Sequence, residues 1–397
     1  MKGPLEGVRV LEISQFISAP YCGAILGDLG AEVIKVEPKI GDVLRILTSL
    51  MHPDFEVFFC TLNRNKKGIA LDLRKKESVR IVRELASKSD ILIENLGPGI
   101  MEKFGLGYEE ISKINPRIVY VSISGFGKTG PYKDRTAFDI IAQAAGGSLP
   151  LMGRVGNKPK MFIADIISGV FAALGAISAL HYREKTGKGQ LVDLSMQDVV
   201  FSINIGAILE VALGAEKLKS FNFSFTDYPP GLRIPLYGIF PALDGEVVIG
   251  AVTDAQAKRL FEAMGKLDLL QDEKFSTFIS RFRNDDELIK IISEWTSKRR
   301  RDEIVDLLAK YRVPCSPVYQ LSEIKNDRQL KEREMFVEVQ YKGLKVLVHG
   351  VCLKFSETPG KVIRPAPELN QHAHEILKNV LGYPEEEIEK LKYLNII

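Results

Sequence analysis

The chain has 397 residues, 45% hydrophobic and 26% charged with 33 glycines, a profile that excludes disordered and fibrous classes and predicts two lobes, because one hydrophobic core seldom supports so long a chain. Its 54 basic and 51 acidic residues leave a net charge of +3, so bulk electrostatics gives no case for nucleic acid or an anionic membrane as partner. The cysteines Cys22, Cys60, Cys315 and Cys352 fit neither a zinc spacing nor CxxC, and the opening MKGPLEGVRVLEIS lacks the apolar run of a signal peptide, so reduced thiols and a cytoplasmic location are expected.

In chain order, Val8 to Ile13 reads as a buried strand, Pro20 to Leu29 as a helix and Val33 to Val36 as a second strand, a unit that implies a parallel sheet with crossover helices. Further strands are predicted at Gly68 to Leu71, Ile91 to Glu94, Val119 to Ser122 and Gln190 to Ser195, with helices at Ser78 to Lys88, near Met101 to Phe104 and from Met196. Met161 to Leu180 is long and apolar enough to raise a membrane span, but Asp165 and the interspersed Ser168, Gly169, Gly175 and Ser178 argue for a helix buried in protein. Phe221 to Pro235, rich in Pro, Gly and aromatics without periodicity, reads as a linker or active-site loop. A hairpin in IFPALDGEVVIGAV then opens a second lobe, with helices around Gln256 to Met264, Asp285 to Lys298 and Arg301 to Lys310, strands again from about Met335, and a polar helix at Glu386 to Tyr393.

The first βα turn, Ser14 to Pro20, invites a dinucleotide reading, but Gly23, Gly27 and Gly30 lie within or after the helix rather than at the turn where a pyrophosphate needs them. What remains is a strand-end loop whose amides suit an anion or a polar carbonyl oxygen. Arg64, Lys66, Lys67, Arg74 and Lys75 cluster in LNRNKKGIALDLRKK and read either as a solvated face or as a phosphate-binding set. Asp165, the acid that opens the apolar run, reads as a helix N-cap or as a partly desolvated nucleophile, and Asp139 in TAFDIIAQAAGG poses the same pair of readings. The five histidines have no metal spacing, so no metal site is expected.

Taken in order, GVRVLEISQFISAP, GAEVIKVEP, NRNKKGIALDL, DILIENLGPGIMEKFGL, NPRIVYVSISGFGKTGPY, AFDIIAQAAGG, ADIISG, KTGKGQLVDLSMQD and RPAPELNQH resemble the family III CoA-transferases over nearly the whole chain. That resemblance implies a Rossmann-like α/β large lobe over 1–198, a linker and active-site loop over 199–235, a small α+β lobe over 236–330 and a return of 331–397 to the large lobe, in an interlocked homodimer. It makes Asp165 the nucleophile that carries the acyl group and CoA in turn, with Asp139 and Gln15 beside it. It implies CoA contacts at Phe16, Ile17, Ser18, Leu71, Arg74, Asn95, Leu96, Ile100, Lys103 and Arg135, with the amides of Phe16 to Ser18 stabilising oxyanions. CoA is then a substrate moiety, with no permanently bound cofactor, and the partners are an acyl-CoA and a carboxylic acid. Three departures qualify the transfer: Phe138 stands where related racemases place a histidine base, the glycine-rich lid of formyl-CoA transferase has no counterpart between Phe221 and Gly245, and Pro38 and Lys39 replace an arginine. An acyl-CoA racemase or isomerase, and a dinucleotide oxidoreductase, stay open as alternatives.

Overall fold

The computed structural model describes residues 3–51, 56–149, 154–155, 158–159, 161–214, 216–217 and 234–397. Six parallel strands, β1 (Arg9–Ile13), β2 (Glu32–Glu37), β3 (Lys66–Ala70), β4 (Ile91–Glu94), β5 (Val119–Ser124) and β6 (Gln190–Ser195), form one sheet in the order β3-β2-β1-β4-β5-β6. Helices cover both of its faces, which is why β1, β4 and β5 are almost continuously apolar, with Val10, Leu11, Ile91 to Ile93 and Val119 to Val121 fully buried. In register, Val10 lies between Val33 and Ile91.

The helices that matter for the site are α1 (Ser18–Asp28), α2 (Val43–Met51), α3 (Glu56–Asn63), α4 (Lys76–Ser87), α5 (Ile100–Lys103), α6 (Tyr108–Ile114), α7 (Asp139–Ala145), α8 (Ile163–Thr186) and α9 (Met196–Ile203). One core packs α4, α6 and the C-terminal helices against the sheet, and the other packs α1, α8 and α9 against its opposite face. Gly187 ends α8 in the left-handed conformation at φ 74°, and the Ser195 side chain caps α9 by accepting the Asp198 N–H, so the turn before and after β6 is set locally. The sequence did not single out α2 and α3.

The chain divides into two compact units, Met1–Ala215 with Gln329–Ile397, and Glu216–Arg328. The second unit has its own core, centred on Phe240, Val247, Ile249, Leu260 and Phe261, around the antiparallel strands β7 (Tyr237–Ala242), β8 (Gly245–Gly250) and β9 (Cys315–Pro317). In the first unit, the strands expected from Met335 are β10 (Phe336–Tyr341) and β11 (Leu344–His349), which pair only with each other and pack on α3 instead of extending the large sheet. Residues 350–372 then run without regular structure, yet they are pinned to β3: Asn370 Oδ1 accepts the Ala70 N–H at 2.8 Å and the His372 N–H reaches the Gly68 carbonyl at 2.9 Å. The loop anticipated at Phe221 to Pro235 lies almost entirely outside the described residues.

Candidate active site

In a parallel sheet whose strand order runs outward in both directions from β1 and β4, the loops leaving those two strands part company and open a crevice at their carboxyl ends. Two cavities occupy this crevice. One of about 640 Å³ is lined by Ile17, Ser18, Phe138, Asp139, Phe162 and Asp165 among others, and the second, of about 420 Å³, by Lys39, Leu71, Arg74 and Ile100 among others. Both include Gln15 and Leu96, so they meet where the β1 and β4 loops face one another.

Asp165 sits in the first turn of α8, three residues past the N-cap Phe162, so it is not the cap that its position suggested. That role is filled from α7: the Asp139 carboxylate accepts the Asp165 N–H at 3.1 Å and a second amide from Ala164, and it holds Gln143 Nε2 at 2.5 Å. A carboxylate from a neighbouring helix of the same chain thereby satisfies amides that an isolated helix start would leave open. Burial first and the nearby Asp139 carboxylate second raise the pKa of Asp165 to about 7, against the opposing hydrogen bond from the Ser18 hydroxyl. Burial likewise holds Asp139 above the usual carboxylate range. Ser18 reaches Asp165 because α1 crosses α8 closely at Gly169, where a Cβ would stand only 2.7 Å from the Ser18 carbonyl oxygen.

The β1 to α1 loop carries an unusual backbone. Phe16 has φ 64°, a conformation that costs a bulky residue energy unless its surroundings enforce it. They do so from two sides. The Asn95 side chain accepts the Gln15 N–H at 3.0 Å and donates to the Gln15 carbonyl at 2.9 Å and to Ser18 Oγ at 3.1 Å. The Asp42 carboxylate accepts the Phe16 N–H at 3.2 Å. Asp42 is in turn paired with the fully buried Lys35 at 3.0 Å, which also contacts Glu12, and Glu12 binds the fully buried Lys66 at 2.8 Å. Burial alone would lower the Lys35 pKa, but the Asp42 and Glu12 carboxylates override it and keep the ammonium charged, whereas burial dominates at Lys66 and lowers it to about 8. Gly23 makes room for this network, since a Cβ there would stand 1.8 Å from Glu12 Oε2.

The structure places the anticipated residues unevenly. Asp165, Asp139, Gln15, Phe16, Ile17, Ser18, Asn95 and Leu96 line the larger cavity, and Leu71, Arg74 and Ile100 line the smaller one. The Phe16 amide is spent on Asp42, which corrects its assignment as an oxyanion donor. Among the described residues, the Ile17 and Ser18 amides at the start of α1 have no protein acceptor. Arg74 is exposed and doubly bonded to Asp72, Lys103 is exposed and outside both linings, and the Arg135 guanidinium lies 3.9 Å over the Tyr132 ring. Nor do Arg64 and Lys66 belong to a solvated basic face. Both are buried, Lys66 at the start of β3 against Glu12 and Arg64, in the turn between α3 and β3, against Asp28. Phe138 is 64% exposed beside Asp139, with its ring edge on Phe16. Sequence reasoning missed Glu12 and Lys35; the available signal was a charge at the centre of an otherwise apolar strand, in VLEI and VIKV, which burial obliges to find a partner.

Comparison with known proteins agrees with this architecture over nearly the whole chain. The model of CoA-transferase family III matches residues 5–373. The succinyl-CoA–D-citramalate CoA-transferase of Chloroflexus aurantiacus is 35% identical over 99% of this chain and 98% of its own length, and the succinyl-CoA:glutarate CoA-transferase of Mus musculus is 33% identical over 99% and 90%. A CAIB/BAIF family protein from Brucella suis has the same fold, with a TM-score of 0.79 and 31% identity over 96% of this chain and all of its own.

Proposed function

The chain belongs to CoA-transferase family III and moves CoA from an acyl-CoA to a carboxylic acid; from that premise, we propose that Asp165 is the carboxylate through which the transfer passes. The observation that supports it most is the position of Asp165, at the meeting of α8 and α1, on the wall of the larger cavity, and raised to a pKa of about 7. A carboxylate solvated by bulk water is a weak nucleophile, whereas one stripped of most of its water by burial is stronger and remains half ionised at neutral pH.

The reaction conserves charge at every step. The Asp165 carboxylate adds to the thioester carbonyl, and collapse of the tetrahedral adduct breaks the C–S bond, leaving an acyl-aspartyl anhydride and CoA thiolate. The thiolate attacks the Asp165 carbonyl carbon, frees the first acid as its carboxylate and leaves an aspartyl-CoA thioester. An acceptor carboxylate repeats these events in reverse and regenerates Asp165. Each adduct carries an oxyanion, and we assign its stabilisation to the Ile17 and Ser18 amides at the N-terminus of α1, with Gln15 as a side-chain donor. Pro20 at the third position of that helix has no N–H to offer, which concentrates the donors at its very start.

The paired cavities support a path for CoA: the nucleotide beside Lys39, Leu71, Arg74 and Ile100, the pantetheine arm past Gln15 and Leu96, and the thioester at Asp165. The interlocked homodimer implied by the resemblance is supported by the outer face of α8, where Val170, Phe171, Leu174 and Ile177 stand exposed on one apolar stripe. Mixing the protein with an acyl-CoA and then hydroxylamine, followed by peptide mass analysis, should yield a hydroxamate at Asp165. Transfer retained by Asp165→Ala would sink the assignment.

A further inference from the structure

The tetrahedral adducts of the transfer are of two kinds. In the first and the last, the attacked carbon is the acyl carbonyl and the negative charge falls on the acyl oxygen. In the two between them, the attacked carbon is the carboxyl carbon of Asp165, and the charge falls on the Asp165 oxygen that does not bridge to the acyl group. An oxygen of the protein is then the oxyanion, and its donor belongs to the packing around Asp165.

Ser18 occupies that place. It is buried at the start of α1, and its hydroxyl is hydrogen-bonded to the Asp165 carboxylate beside the close crossing of α1 and α8 at Gly169. The direction of that bond is fixed from behind. The Asn95 side chain pairs with the Gln15 backbone as one peptide pairs with another, Oδ1 accepting the N–H at 3.0 Å and Nδ2 donating to the carbonyl at 2.9 Å. Turning this amide over would set donor against donor and acceptor against acceptor, so Nδ2 is the atom that faces Ser18 Oγ at 3.1 Å, and Oγ accepts there. A hydroxyl has one proton, and with an amide donor behind it that proton is left for Asp165. Asn95 is itself held at the end of β4, because Glu94 before it accepts the Leu96 N–H at 3.1 Å and the Ser122 hydroxyl.

We propose that the Ser18 hydroxyl is a catalytic oxyanion donor for the two adducts on the Asp165 carbon, acting beside the Ile17 and Ser18 amides, and that Asn95 is the positioning residue that aims it. The inference rests on Asp165 as the nucleophile. In the anhydride and in the aspartyl-CoA thioester, the oxygen facing Ser18 is a neutral carbonyl oxygen. Attack by CoA thiolate on the one, or by an acceptor carboxylate on the other, opens the C=O bond and moves its electron pair onto that oxygen. The hydrogen bond from Ser18 strengthens as the charge develops, and collapse restores the C=O bond while expelling the first acid as its carboxylate or CoA as its thiolate. In the opening step the same bond works the other way, because the carboxylate loses charge as it becomes acylated. Ser18 thus favours the steps in which Asp165 is the electrophile over the one in which it is the nucleophile.

The test uses the full-length protein in excess over succinyl-CoA or, in parallel, propionyl-CoA, with hydroxylamine present, at about pH 8.5 where Asp165 is mostly ionised. Hydroxylamine attacks either carbonyl of the anhydride. Attack at the Asp165 carbon leaves a hydroxamate on the protein, counted by peptide mass together with any CoA thioester there. Attack at the acyl carbon releases an acyl hydroxamate, counted in solution after subtraction of the Asp165→Ala background. Ser18→Ala should lower the ratio of protein-bound to released product about a hundredfold, the usual effect of removing one oxyanion donor, while released product still forms at the native rate. Ser18→Thr, which keeps the hydroxyl, should hold the ratio close to native. Asn95→Asp keeps Ser18 but sets an acceptor behind it that draws the proton away, and should lower the ratio as Ser18→Ala does; it carries the test if Ser18→Ala folds poorly. An unchanged ratio, or a parallel loss of both products in a variant that melts like the native protein, would overturn the inference while leaving Asp165 as nucleophile. Absence of label on Asp165 of the native protein from both donors would overturn the nucleophile assignment and the inference together.

Discussion

Asp165 illustrates how one side chain answers to two demands that oppose each other. Transfer requires the anion, so kcat/KM should rise about tenfold per pH unit on the acid side and level off above an apparent pKa of about 7, read from a pH profile of CoA transfer. Burial is the larger cause of that raised value and Asp139 the second, so Asp139→Asn, which removes the charge but keeps an oxygen for the α8 amides, should move the acid limb to lower pH. A limb that stays in place would mean that Asp139 acts on Asp165 only through the backbone. Stability should respond in the opposite sense. Because the folded state raises the Asp165 pKa above its value in the unfolded chain, the protonated form supports folding below about pH 4, and this support is lost as pH rises through about 7. Asp165→Asn should therefore stabilise the protein at pH 8, by about 2 kcal/mol once partial solvent contact is allowed for, and leave its stability nearly unchanged at pH 4. Calorimetry at the two pH values separates these outcomes.

At the scale of elements, the site depends on how closely α1 and α8 approach. Gly169 is the contact, and Gly169→Ala would drive a methyl group toward the Ser18 carbonyl, pushing apart the two helices whose starts hold Ser18 and Asp165. A loss of about 1–3 kcal/mol in stability is expected, with a drop in kcat larger than any change in KM for the acyl-CoA. The strands and helices that frame this contact were legible in the sequence, because their apolar runs have the period and length of buried strands and amphipathic helices; β4 and β6 fall on the residues anticipated for them. The partners were not. Nothing local shows that the cap of α8 is an aspartate 26 residues earlier in the chain, or that Asp42 holds the amide of Phe16, since both contacts follow from how elements pack and not from spacing. The same reason misled the reading of Arg64 and Lys66, whose charges look solvated in a basic run and are buried once the turn between α3 and β3 packs against α1 and β1.

For the whole molecule, α8 is long and apolar enough by length and composition to cross a membrane, but its inner face is packed on α1 and the sheet. Its outer stripe is where an association surface would form. If the homodimer uses it, Leu174→Asp, which places a charge where 58% of a leucine is now exposed, should shift the protein from twice the chain mass toward the monomer in light scattering. An unchanged mass would locate the contact elsewhere. The strained loop at Phe16 adds a consequence in time. Its support runs from Asp42, which donates its N–H to Glu37, to Arg45, which is paired with the same glutamate and also hydrogen-bonded to the Tyr341 hydroxyl and the Pro367 carbonyl. Those last partners, Tyr341 and Pro367, lie in the final sixth of the chain. A nascent large unit can therefore assemble β1 to β6 early, but the Phe16 loop has its full support only when translation is nearly finished.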